Sequence, residues 1–126
     1  MTISKGRFAL AAAAGLLLIG GPAFAHHSFA MFDNQKAVTL DGVVKDYQWT
    51  NPHSWIQLEA KDPASGKVVE WSIEAGSPNT LSRSGWRPSS MKAGDKAEIV
   101  IHPMKDGSFG GSLMSASVNG VKIGES

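Results

Sequence analysis

Four histidines, His26, His27, His53 and His102, and the absence of cysteine set the metal chemistry open to this chain. Without thiols there is no disulfide framework, no thiolate metal site and no cysteine nucleophile, which leaves the imidazoles as candidate metal ligands. His26 and His27 are adjacent. If a leader is cleaved just before them, the free α-amine of His26 joins the two rings as a chelating terminus. The amine and the His26 Nδ1 close one ring on a metal. The amine and the His27 imidazole close two when Cu(II) displaces the proton of the intervening amide. The Irving–Williams order places Cu(II) ahead of Ni(II) and Zn(II) for such nitrogen donors. A dedicated site needs a third protein ligand, and His53 and His102 are the candidates.

The leader is legible. Lys5 and Arg7 precede an apolar run over residues 8–19, which Gly20, Gly21 and Pro22 break before Ala23-Phe24-Ala25. A basic start, a short apolar stretch and small residues at −3 and −1 predict a secretory signal cleaved after Ala25. Twelve helical residues reach only about 18 Å, too little for the ~30 Å hydrocarbon core, which argues against an anchor. The expected organisation is a signal peptide over residues 1–25, a lead segment over 26–36 and one domain over 37–126. Loss of Lys5 and Arg7 leaves ten basic residues against eleven acidic. A domain so balanced has no electrostatic footprint for nucleic acid or for an anionic membrane surface.

The elements that must position the histidines read as strands. Val38, Leu40, Gly42 and Val44 alternate with Thr39, Asp41, Val43 and Lys45, and the same period-two pattern recurs at residues 55–60, 68–74, 97–102 and 112–118. Thr50-Asn51-Pro52 turns the chain between the first two strands, and Asn119-Gly120 predicts a tight hairpin into a short last strand. One helix is expected between Ser77, a capping residue followed by Pro78, and Gly85. An all-β domain with one short helix, in the order β-β-β-α-β-β, fits a five-stranded OB-fold-like barrel, with a six-stranded sandwich as the rival.

In that barrel the start of strand one lies beside the end of strand four, which brings the lead segment toward His102. His53 sits in the loop between strands one and two, at the usual ligand face. Trp55 alternates with Ile56 and Leu58, so it belongs to the outward set with Gln57 and Glu59, and Glu70 and Glu74 join that set from strand three. Trp55, with Asn51 and Trp86, is the expected ligand or partner face, and the carboxylates of that face disfavour phosphate. No G-x-S-x-G elbow or phosphate loop occurs, and the paired carboxylates have no spacing that requires acid–base catalysis.

The segments HHSFAMFD, TNPHSWIQLEAKD, EAGSPNTLSRSGW, KAGDK and GGSL together resemble small exported bacterial proteins grouped as a domain of unknown function, over nearly all of residues 26–118. The resemblance implies an OB-like fold and a periplasmic address. It marks His26, His27, Asn51, Pro52, His53 and Trp86 as family-typical positions and assigns none of them a role. The expectation is a monomeric periplasmic binding module, not an enzyme, that takes a copper-type cation, Cu(II), through its N-terminal histidines. A second expectation is an accessory or assembly protein docking on another exported protein through the Trp55 face and the Phe29, Met31 and Phe32 segment. A third is a small copper-dependent redox enzyme.

Overall fold

Alternation of β-branched and polar residues produces the strands the sequence predicts, in a computed structural model that describes residues 29–124. They are β1 (Val38–Gln48), β2 (Trp55–Lys61), β3 (Val68–Glu74), β4 (Lys96–Pro103), β5 (Gly110–Val118) and β6 (Val121–Lys122), with a helix α1 (Pro78–Arg83) between β3 and β4. The strands run β3-β2-β1-β4-β5-β6, and β5 returns to pair with β3. That last pairing is parallel, from Ser72 opposite Gly110 to Glu74 opposite Ser112, and the other ladders are antiparallel. The result is a closed five-stranded barrel with OB-fold connectivity, β6 hanging on its β5 edge. The two faces of a sandwich never form. The predicted leader, residues 1–25, and both His26 and His27 lie outside the described residues.

β1 is long because it serves two neighbours. Its first half pairs with β4, from Val38 opposite Ile101 to Val43 opposite Lys96, and its second half pairs with β2. The exchange occurs at Gly42, where a Cβ would stand 2.1 Å from the Glu59 carbonyl oxygen, so the close approach requires glycine. A bulge between Val44 and Asp46 leaves Lys45 and Asp46 both exposed and turns Tyr47 back toward the core. The strict alternation read in the sequence misses this extra residue.

Leu40, Val44, Ile56, Leu58, Ile73, Ile99 and Ile101 fill the barrel with at most 1% exposure. Each such side chain contributes about 1.5–3 kcal/mol by leaving water. α1 plugs the barrel with Leu81. Ser77 caps it by accepting from the Thr80 N–H at 3.2 Å, and the Trp86 N–H donates back to the Leu81 carbonyl at its end.

The lead segment is part of the wall. After a 3-10 turn at Phe29–Met31, the Asp33 N–H donates to the Pro103 carbonyl at 2.8 Å and the Lys105 N–H to the Met31 carbonyl at 2.9 Å, around an isolated bridge of Phe32 with Met104. Phe32 is 5% exposed. It therefore seals its own barrel and is not the docking residue the sequence suggested. Among the described residues, no helix is long and apolar enough to cross a membrane.

Candidate ligand site at the barrel rim

The ladders place Trp55 and His102 on one belt with Glu74. Gln48 lies opposite Trp55, Trp55 opposite Glu74, Glu74 opposite Ser112, and Ser112 opposite His102. Ile56, Ile73 and Ile101, one position along from Trp55, Glu74 and His102, are fully buried, so alternation turns these three outward. His53 reaches the belt from the β1–β2 loop, over Glu74.

His102 is half-buried, and its Nδ1 stands 2.8 Å from the Lys36 carbonyl oxygen. A carbonyl only accepts, so Nδ1 carries the proton and the neutral ring keeps its lone pair on Nε2. The bond that fixes the tautomer also ties β4 to the lead segment.

His53 is held differently. Its Nδ1 lies 3.3 Å from the Ala75 carbonyl oxygen and 3.4 Å from Oε1 of Glu74. Both are acceptors, so Nε2 again faces away with the lone pair. The loop that presents His53 is pinned by Ser54, whose N–H donates to the Gly76 carbonyl at 2.9 Å and whose carbonyl accepts from the Ala75 N–H at 2.8 Å. The Thr50 hydroxyl adds a bond of 2.9 Å to the His53 carbonyl.

Glu74 departs from expectation. It belongs to the outward set by register, yet its side chain is only 8% exposed, and its Oε2 is buried with no hydrogen-bond partner among the described residues. The covering group comes from the β1–β2 loop, far away in sequence, so nothing in the alternation of β3 announces the burial. The other carboxylates of this face stay exposed, and Lys45 sits between them at 3.0 Å from Glu70 and 4.0 Å from Glu59. The Glu70 carboxylate, through its hydrogen bond and its charge, raises the Lys45 ammonium above its ordinary value. The sequence reading of an unneutralised acidic face omits this lysine, which the bulge in β1 delivers.

Trp55 is half-buried beside Glu74, and Gln57 next to it donates to the Ser72 hydroxyl at 3.2 Å. Asn51 is exposed in the turn. Trp86 is not on the face at all: at 5% exposure it is core, its ring 6.4 Å from that of Tyr47. A shallow recess of about 630 Å³, lined by Asp41, Val43, Lys96, Glu98 and Asn119 among others, lies over β1, β4 and β5 and contains none of the predicted site residues.

Among the described residues, no three His, Cys, Asp or Glu side chains converge in a way that could hold a metal. His102 and Glu74 are separated by β5, two strand spacings or about 10 Å. A closed site built on His102 from imidazole and carboxylate donors therefore needs donors from outside the described residues.

The profile of a family of unknown function (DUF6152) matches residues 13–114. No curated protein matches the chain. Among solved structures, the mitochondrial single-stranded DNA binding protein Rim1 of S. cerevisiae superposes with a TM-score of 0.47 at 10% identity, covering 71% of this chain and 97% of that one.

Proposed function

Because the chain belongs to the DUF6152 family of unknown function, we propose its role from its own geometry: an exported, periplasmic, non-catalytic module that binds a copper-type cation where its mature N-terminus meets the end of β4. The observation that carries this reading is the 2.8 Å contact from His102 Nδ1 to the Lys36 carbonyl. It leaves Nε2 as a donor and attaches it to the segment whose beginning carries His26 and His27. His27 is four positions before Met31, so chain length alone keeps His27 within about 14 Å of a residue bonded to Lys105. An amine and three imidazoles are a nitrogen set that selects Cu(II) among the common divalent ions. His53, drawn toward Glu74, is a positioned loop residue in this reading, outside the metal set.

The reading requires cleavage after Ala25, and mass spectrometry of the exported protein should find His26 first. Calorimetric titration of that protein with Cu(II) should show a single site, weakened about tenfold or more (about 1.4 kcal/mol) by His102→Ala and unchanged by His53→Ala. Equal Cu(II) affinity in the wild type and His102→Ala would reduce the site to a flexible His-His terminus. The module should bind without turning over ascorbate aerobically, which separates it from a copper-dependent oxidase. Single-stranded DNA should not be retarded at moderate salt, because Glu59 and Glu70 leave the β2–β3 face without net positive charge. The assembly-protein reading keeps the half-buried Trp55 and the 44% exposed Phe109, whose ring stands 5.4 Å from Trp71. It becomes the better one if Cu(II) binds weakly and independently of His102.

A further inference from the structure

We propose that His102, Met104 and Met114 form a soft-cation site of one imidazole and two thioethers, suited to a monovalent ion of the Cu(I) class. The proposal builds on the His102 reading above and extends it to the reduced oxidation state. His102 and Met104 are two residues apart on extended chain, so their side chains leave the same face about 6.6 Å apart. The bridge of Met104 with Phe32 keeps the chain extended past Pro103. The strand they face offers no bulk. Ser112 stands opposite His102, and Gly110 lies beneath Met104, whose Cγ is 3.5 Å from where a Gly110 Cβ would be. Gly110 is fixed for its own reason, since that Cβ would also come within 2.8 Å of the Ser72 carbonyl oxygen, and the side effect is an open floor.

Met114 enters through a fault in register. Ile101 pairs with Leu113 and Val100 with Ser115, so Met114 is the extra residue of a bulge opposite Val100 and Ile101, two positions along from Ser112, the partner of His102. Bulges re-aim side chains, and this one leaves a methionine 47% exposed. A diagonal cross-strand neighbour lies about 7–8 Å away, within reach of a long side chain. Neutral thioethers select soft ions such as Cu(I) and Ag(I), and the lack of a carboxylate in the set disfavours Mg(II) and Ca(II). Cu(II) would then use the amine and imidazoles, and Cu(I) the thioethers, with His102 common to both.

The test uses Ag(I), which has the same charge and softness and no redox chemistry, titrated into the exported protein. Met104→Leu and Met114→Leu preserve volume, and unchanged thermal midpoints will verify that both fold. Each should weaken Ag(I) binding tenfold or more and leave Cu(II) affinity alone, and in the wild type Ag(I) should shift the methyl resonances of both methionines. Ag(I) affinity within twofold of wild type in the Met104→Leu/Met114→Leu double variant, or methyl resonances that do not move, would overturn the proposal. Loss of Ag(I) binding in the double variant together with undiminished Cu(II) affinity in His102→Ala would support the soft site and remove the Cu(II) reading instead.

Discussion

His53 and His102 sit on the same rim, each with Nδ1 at a backbone carbonyl, and they differ in what else stands beside that nitrogen. His102 donates to a neutral backbone carbonyl of the lead segment, whereas His53 lies against a buried carboxylate whose second oxygen has no partner among the described residues. The carboxylate ties His53 to the fold: remove the ring and Oε1 of the buried Glu74 loses a neighbour at 3.4 Å. The carbonyl makes His102 a hinge point between β4 and the N-terminal segment, with little stability resting on its Nε2. Carboxylates and backbone carbonyls both stand behind metal-ligating imidazoles, so the acceptor on Nδ1 orients each ring, and what separates the two is what each ring ties to the fold.

The contrast can be broken most severely from the His102 side by detaching the lead segment. Phe32→Ala empties a buried position and should cost about 3–5 kcal/mol in urea unfolding, and it should weaken Cu(II) as well because Lys36 leaves with the segment. His53→Ala should cost less, about 1–3 kcal/mol, by stranding the buried Glu74 carboxylate, and leave Cu(II) affinity at the wild-type value. A His53→Ala protein that matched the wild type in stability but lost copper would exchange the roles of the two rings. His102→Ala should remove only one hydrogen bond, about 0.5–1.5 kcal/mol, while carrying the larger loss in copper.

The smallest effect concerns Tyr47, near the end of β1 and ahead of the loop that carries His53. Tyr47 donates its hydroxyl to the Arg87 carbonyl at 3.1 Å and packs edge-on against Trp49, and burial pushes its pKa up to about 12. Between its unfolded value near 10 and about 12 the native state holds a proton that the unfolded chain has released, so stability falls as pH rises through that window. Lys45, raised by Glu70, loses its contribution above its ordinary 10.5, in the same direction. Tyr47→Phe should therefore show a shallower alkaline decline in thermal midpoint than wild type, keeping only the part due to Lys45. An unchanged slope would mean that the Tyr47 hydroxyl ionises alike in both states.

Much of the barrel was readable because its inward residues alternate without interruption from Leu40 to Val44, Ile56 to Ala60 and Ala97 to Ile101. The hairpin and the capped helix follow from equally local signals, and the meeting of the lead segment with β4 follows from the barrel topology. The two bulges were not readable, since one extra residue at Lys45 or Met114 leaves no mark in a pattern of period two. Neither was Glu74, which is outward by alternation and buried by a loop some twenty residues upstream. Trp86, expected on the ligand face with Trp55, is core at 5% exposure in the chain that follows α1. His102 was placed by topology alone, and its neighbour Met104, only two positions further along the same strand, passed unnoticed despite the spacing.

The central claim is that His102 binds through Nε2 while Nδ1 stays on Lys36, and pulsed electron paramagnetic resonance of the Cu(II) complex tests it most directly, because the remote nitrogen of a bound imidazole modulates the echo. Wild type and His53→Ala should give the same modulation, and His102→Ala should lose the contribution of one imidazole. Identical modulation in all three proteins would contradict the claim and leave copper on the terminal histidines alone.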